Sequence, residues 1–347
     1  MTLARLIVAL VAASIGTVLA LPVILVGLPF WVVKATTRAL AHLLEPRYVP
    51  SKGLSEYHPV FGWVPKAGVD GYHYVDDVFR VTTDDQGWRS RTTTLAESEI
   101  VVLGDSYAWG YGIDDRHFFA NRVRQRRVKA VGAFGYNMVQ EFLWLQRLST
   151  ELRGKLVLWF IYLGNDLFEN LVPHRRGYRL PFLREQKGGD DWEVVTSHIG
   201  PSKWWYAGRG YGRIYYEQLV AYCTPTIHPR REYAACEALL RWGKDLCDTA
   251  GARLIVVSIP DKAQLSAAGR ELLLRHGGIP ETFDPDLPDR ELRSICERKE
   301  LPFVAGKDHF DVQDYKAHDV HWNERGHQRM AGLIADIYDR YATRSRT

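Results

Sequence analysis

Ile100-Val101-Val102-Leu103-Gly104-Asp105-Ser106 is an apolar run that stops at a small, polar turn. Four consecutive apolar residues, the first three β-branched, show no polar alternation. Such a run suits a strand buried on both faces of a sheet. The turn then holds a serine hydroxyl at the strand's carboxyl end, where open α/β sheets place their ligands.

Three further runs follow the same plan. Val128–Val131 leads to Gly132-Ala133-Phe134-Gly135, and Leu156–Tyr162 leads to Gly164-Asn165-Asp166. Leu254–Ile259 ends at Pro260. Between and after the runs lie stretches with apolar residues at helical spacing. One is opened by Asp114 and Asp115 and carries Phe118, Phe119 and Val123. A second carries Met138, Phe142, Leu145 and Leu148. Tyr233–Cys247 is a third, and Glu324–Tyr341, with Met330, Leu333, Ile334, Ile337 and Tyr338 on one side, is a fourth. Strand and helix alternate, which predicts an α/β class with a mainly parallel sheet. Right-handed crossovers then bring the strand ends to one edge.

A fourth polar piece, Asp319-Val320-His321, lies just before Asn323. Taken singly, each piece could be an ordinary turn or a helix cap. Their order and their places after apolar runs give them weight. The set Gly104-Asp105-Ser106, Gly135, Gly164-Asn165-Asp166 and Asp319/His321 resembles the four blocks of the SGNH (GDSL-type) hydrolase family, over roughly residues 58 to 342. Gly87-Trp88-Arg89 also resembles a segment that often precedes the serine block in membrane-linked members. The resemblance implies a flavodoxin-like three-layer α/β/α fold and ester chemistry, without naming the ester.

Ester cleavage needs a nucleophile, a base, an orienting group and donors for the developing oxyanion. On the matched positions, Ser106 is the expected nucleophile, His321 the base and Asp319 the group that orients the imidazole. The Ser106 N–H, the Gly135 N–H and the Asn165 side-chain amide are the expected oxyanion donors. Asp105 is expected to serve the turn. The family commonly puts its aspartate three residues before the histidine, where this chain has His318. That leaves the orienter as Asp319 or, less favourably, Asp314. The Asp-x-His-Trp form is similar to that of alginate-type O-acetyltransferases.

Other chemistries fit the residues less well. Asp308, His309, Asp311, His318, Asp319, His321 and His327 make a His/Asp-rich tract, but their spacing matches no zinc signature and no Cys joins them. No metal or cofactor is expected. An α/β-hydrolase elbow needs Gly two residues after the serine, and Ala108 stands there. Gly208-Arg209-Gly210-Tyr211-Gly212 lacks a preceding strand and a following Lys-Ser/Thr, so it reads as an aromatic loop. Arg175, Arg176 and Arg179 read as a solvated face.

Leu6–Val33 carries no charge and is flanked by Arg5, Lys34 and Arg38. It exceeds the about 20 residues that a bilayer core requires. The expected organisation is therefore a membrane anchor over 1–34, a tether over 35–57 and a catalytic domain over 58–347. A signal peptide cleaved after Ala20 would leave the greasy stub Leu21–Leu25. The positive-inside count mildly favours an internal domain. Membrane-tethered relatives often act on envelope polymers, and on that resemblance an extracytoplasmic domain is expected.

Hydrophobic residues make up 46% of the chain and charged residues 25%, enough for a packed core and against bulk disorder. A net charge of +4 does not argue for nucleic acid. Cys223, Cys236, Cys247 and Cys296 lack metal or redox spacing, and paired or buried free thiols both remain open. The stretch from about 166 to 230 is too long for a simple strand-to-helix connection. It holds Trp192, Trp204, Trp205, Tyr206, Tyr211, Tyr215, Tyr216 and Tyr222. These rings could stack on a sugar or form the insertion's own small core. The leading expectation is a serine esterase acting on O-acyl, most simply O-acetyl, groups of a carbohydrate. An O-acetyltransferase acting on an exported polysaccharide and a non-catalytic, membrane-tethered glycan-binding protein are the alternatives.

Overall fold

The computed structural model describes residues 53–89, 93–175, 178–186, 191–197, 199–201, 209–225 and 229–342, with the single positions 36 and 49. The expected anchor, Leu6–Val33, lies outside the described residues. Among those described, no helix is long and apolar enough to cross a membrane.

Two hairpins come first. Strand β1 (Ser55–His58) pairs with β2 (Gly62–Pro65), and β3 (Asp70–Val75) pairs with β4 (Asp77–Thr82). Leu54 is buried beside the second hairpin, so the folded unit takes in the end of the stretch read as tether. Then β5 (Ile100–Gly104) opens directly into the single-turn helix α1 (Ser106–Trp109). Next come β6 (Val128–Gly132), α2 (Met138–Leu148), β7 (Leu156–Tyr162) and α3 (Asp166–Glu169).

The excursion after α3 is not a plain loop. It holds β8 (His174–Arg175), β9 (Tyr178–Arg179), β10 (Phe182–Glu185), β11 (Trp192–Val195), β12 (Gly200–Pro201) and α4 (Arg209–Tyr222). The Gly-rich segment read as an aromatic loop is therefore mostly the first turn of α4. The chain closes with α5 (Arg230–Ala250), β13 (Arg253–Ile259), α6 (Ala267–Arg275), α7 (Leu287–Arg298), β14 (Phe303–Ala305) and α8 (Glu324–Ala342).

The central sheet has five strands in the order β14-β13-β7-β5-β6, and every pairing is parallel. Counted along the chain this is the 2-1-3-4-5 order of doubly wound folds, with its switch point between β5 and β7. The near-continuous apolar strands feed two cores by simple alternation. Val101, Leu103, Val157, Trp159, Leu254 and Val256 pack on α2, α5 and α7. Ile100, Val102, Leu158, Phe160, Ile255 and Val257 pack on α8 and the Phe118–Phe119 segment. Helix, sheet and helix thus form three layers around the strand ends that carry the polar pieces.

One expected helix is absent. The stretch opened by Asp114 and Asp115 forms turns and a short 3-10 segment, Phe119–Asn121. Its acids are committed elsewhere: Asp115 accepts from Thr82 Oγ1 at 2.7 Å and from Arg89 Nη2 at 2.6 Å. Arg89, fully buried, also donates to the carbonyls of Gly110, Ile113 and Arg80. Those bonds pin the backbone in a succession of turns in place of a helix. They also give a physical role to Gly87-Trp88-Arg89, which fastens the segment leaving α1.

Candidate active site

Ser106 is the first residue of α1, and Asp105 caps that helix. The Asp105 Oδ1 accepts the Tyr107 N–H at 2.9 Å, a cap of the kind worth about 1 kcal/mol. Gly110 ends the turn with φ 73°, in the left-handed region that Gly tolerates. Gly132 pairs with Gly104 across β6 and β5. A Cβ at Gly132 would sit 2.3 Å from the Gly104 carbonyl oxygen, so the two chain ends meet closely only because Gly stands there.

The His321 imidazole arrives from the far end of the chain. An antiparallel bridge between Tyr315 and Trp322 closes the loop 315–322. The Lys316 N–H donates to the His321 carbonyl at 2.9 Å, and Tyr107 donates its hydroxyl to the Val320 carbonyl at 2.5 Å. Asn323 caps α8, accepting from the Arg325 and Gly326 N–H groups at 2.9 and 3.1 Å. The cap therefore fixes the loop that presents the imidazole.

The His321 Nδ1 meets Asp319 Oδ1, which also accepts the His321 backbone N–H at 3.0 Å. With Nδ1–H given to a carboxylate, Nε2 is left as an acceptor. It lies 2.7 Å from Ser106 Oγ, so the hydroxyl can donate to it. Asp319, not Asp314, is the carboxylate against the ring. Asp314 is fully buried and spent on Arg325 and Arg329, at 3.1 and 2.9 Å, and on the Asp311 N–H at 2.8 Å. His318 is placed elsewhere, its N–H donating to Asp76. The rest of the His/Asp tract disperses: Asp311 meets Arg325 and Arg329, while His327 stacks on Phe119.

Two tyrosines that sequence reasoning missed hold the imidazole from its sides. The Tyr107 ring lies 5.2 Å and the Tyr111 ring 5.1 Å from it, centroid to centroid. Tyr107 follows the serine immediately, the one signal that could have marked it. Ser106 itself is 7% exposed.

The Ser106 hydroxyl has a second acceptor, Asp105 Oδ2 at 3.0 Å. Burial pushes the Asp105 carboxyl up, against the pull of the Tyr107 N–H and of His321. Beneath lie Glu141, which accepts from Trp159 Nε1 at 2.7 Å, and Asp166, which accepts the Tyr162 N–H at 2.6 Å. Burial pushes both well above the ordinary carboxylate range, and the mutual repulsion of the acids adds to it.

The expected oxyanion donors converge on the same strand ends. Asn165 follows β7 by way of Gly164, and Gly135 follows β6. Gly135 has φ 80°, again a conformation that favours Gly. Among the described residues, neither the Ser106 N–H nor the Gly135 N–H donates to a protein acceptor, although both residues are buried. Asn165 Nδ2 gives one hydrogen to Glu169 Oε2 at 2.7 Å and keeps the other.

Arg175 contradicts its reading as part of a solvated face. It forms an ion pair with Glu169 and donates to the Gly135 carbonyl at 3.1 Å. Two of the insertion's aromatics belong to the core. Tyr222 is fully buried, and Tyr215 is buried with its hydroxyl on Asp261. Trp192 lines a groove of about 940 Å³ with Phe142 and Trp242. That groove lies beside the carboxyl-terminal halves of α2 and α5, at the opposite edge of the sheet from Ser106. Trp204, Trp205 and Tyr206 fall outside the described residues.

No family model matches the sequence, and no curated protein does so either. Solved structures of GDSL-type hydrolases are similar to it. Est24, a carbohydrate acetylesterase from Sinorhizobium meliloti, is 12% identical with a TM-score of 0.41, covering 70% of this chain and 98% of that one. A member of the lipolytic protein G-D-S-L family from Veillonella parvula is 11% identical with a TM-score of 0.39, over 70% of this chain and 98% of its own. A GDSL-like lipase from Bacteroides thetaiotaomicron is 12% identical with a TM-score of 0.36, over 70% and 87%.

Proposed function

We propose that this chain is a serine esterase of the SGNH type that removes small O-acyl groups, acetyl foremost, from a carbohydrate. One observation carries the proposal: Ser106 Oγ lies 2.7 Å from an imidazole nitrogen whose partner nitrogen is held by Asp319. Ser106 attacks the acyl carbon as His321 Nε2 takes its proton. The ester carbonyl oxygen, now negative, is met by the Ser106 N–H, the Gly135 N–H and the second hydrogen of Asn165 Nδ2. His321 returns the proton to the leaving alcohol. Water, deprotonated by the same nitrogen, then releases the acid from the acyl-serine. The small exposure of Ser106 and the tyrosines around its partner favour a compact acyl group over a long chain.

The same residues would serve an O-acetyltransferase, in which a sugar hydroxyl replaces water. The Asp-x-His-Trp form keeps that second reading in play. We further propose that Leu6–Val33 anchors the chain, with the catalytic domain on the extracytoplasmic side. Purified protein is to be incubated with p-nitrophenyl acetate and p-nitrophenyl octanoate, and with an O-acetylated oligosaccharide alone or with an unacetylated acceptor. The esterase reading predicts acetate release, a preference for the acetyl ester, and loss of both on Ser106→Ala. Acetyl transfer exceeding hydrolysis would select the transferase. Glycan binding without turnover would favour the non-catalytic protein.

A further inference from the structure

Two of the three oxyanion donors sit on loops, and loops need support if a donor is to be preorganised. Asn165 has an additional difficulty, because a half-turn of its amide would replace N–H by a carbonyl oxygen and repel the charge it should stabilise. The structure supplies a partner that settles the matter. Asn165 Nδ2 lies 2.7 Å from Glu169 Oε2, one helical turn further along the chain. An ionised carboxylate only accepts, so the amide must present nitrogen to it. One N–H is spent there, and the second is fixed in the plane of the same amide.

Glu169 is 3% exposed, with Asp166 nearby. Arg175 forms an ion pair with that same Oε2. A protonated Glu169 could donate instead of accept and would then favour the flipped amide. Arg175 also reaches the other donor: its Nη1 bonds the Gly135 carbonyl at 3.1 Å, on the residue whose N–H has no acceptor among the described residues. The Asn137 side chain holds the backbone carbonyl of Glu169 at 3.1 Å, fixing the end of α3 beneath the pair.

We infer that Glu169 and Arg175 are positioning residues for the oxyanion site, Glu169 setting the orientation of the Asn165 amide and Arg175 tying Glu169 and Gly135 into one unit. This rests on the esterase reading and extends it. It also gives the excursion after β7 a role in the reaction, because that excursion supplies Arg175.

The test is a cycle of variants on the full chain: Glu169→Gln, Asn165→Ala, the double variant, Arg175→Met and Arg175→Lys. Steady-state kinetics on p-nitrophenyl acetate, inhibition by a trifluoromethyl ketone and thermal midpoints are read together. Glu169→Gln and Arg175→Met are expected to lower kcat by about 10- to 100-fold with KM within about twofold, because the donors act on the transition state. The ketone's inhibition constant should rise in parallel, since its adduct carries the same oxyanion. Arg175→Lys should recover part of the loss. Glu169→Gln should cost little further in the Asn165→Ala background, which a general packing role would not produce. Additive losses in the cycle, or folded single variants with wild-type kcat, would overturn the inference while leaving the wild-type esterase intact. If Arg175→Met does not fold, the Glu169/Asn165 cycle decides alone. A wild-type protein without esterase activity would instead refute the reading beneath it.

Discussion

Replacing Arg89 by methionine should be among the most damaging single changes in the domain. The guanidinium is fully buried, yet every direction around it is answered. Nη2 donates to the Ile113 carbonyl at 2.7 Å, the Arg80 carbonyl at 3.0 Å and Asp115 Oδ1 at 2.6 Å, while Nε reaches the same carboxylate at 3.1 Å. Nη1 serves the Gly110 carbonyl at the end of α1. Burial lowers the guanidinium's pKa, but from a value so high that the charge persists. Methionine fills similar space and supplies no donor. Breaking a buried pair from one side costs about 3–5 kcal/mol, because the other side is left uncompensated. Asp115 keeps Thr82 and some water, which softens the loss, but two buried carbonyls lose their donor at about 1 kcal/mol or more each. An overall loss of about 4 kcal/mol follows, a large part of the about 5–15 kcal/mol that holds a domain together. At this chain length that corresponds to a fall in Tm of about 8 °C. Arg89→Lys, which keeps charge but not the fork, should lose about half as much. Thermal melts of the three proteins, followed by circular dichroism, make the comparison. A fall of under 2 °C for Arg89→Met would refute the claim that this cation organises the segment leaving α1.

Other expectations follow from single groups. Asn165→Ala should lower kcat on an acetyl ester by about 10²–10³-fold with little change in KM, read from initial rates. Burial, with Arg89 and Lys316 adding, holds the His327 imidazole well below the ordinary histidine range. The unfolded chain therefore binds a proton near pH 6.5 that the native state refuses, so stability should fall as pH drops below 6.5, by up to about 1.4 kcal/mol per pH unit. Urea midpoints at pH 7 and pH 5 should show that slope in the wild type and a shallower one in His327→Leu. All four cysteines are free and buried, and burial pushes Cys247 and Cys296 up to about 12. A disulfide reagent should therefore find no thiol in native protein and four after denaturation.

Four of the five strands of the central sheet could be read from the chain because their runs are nearly all apolar, three of them leading to Gly and one to Pro260. Helices α2, α5 and α8 were legible by spacing, within a few residues at their ends. Phe303–Ala305 is too short to register, and the amino-terminal hairpins carry no run that distinguishes them from loops. The stretch after Asp114 misled because its two acids look like a helix start, whereas Asp115 is held by Arg89 and Thr82 and Asp114 accepts the Arg80 N–H, all from elsewhere in the sequence. At the site, the order of Ser106, Gly135, Asn165 and His321 was visible, and Asp319 could be named although its spacing left it in question. The support around them was not visible. Arg175 sits among other arginines, and nothing local says that it turns inward to Glu169. The aromatic density of the insertion was plain, but whether rings face a substrate or one another depends on packing that composition does not encode.

The proposed reaction requires Ser106 to be a nucleophile made reactive by His321. A fluorophosphonate probe added to the purified protein, with peptide mass spectrometry of the product, tests it most directly. One adduct per chain is expected, on Ser106, forming about 10²–10⁴-fold more slowly in His321→Ala protein that melts at the wild-type temperature. An adduct on another residue, or labelling of Ser106 at the same rate without the imidazole, would contradict it.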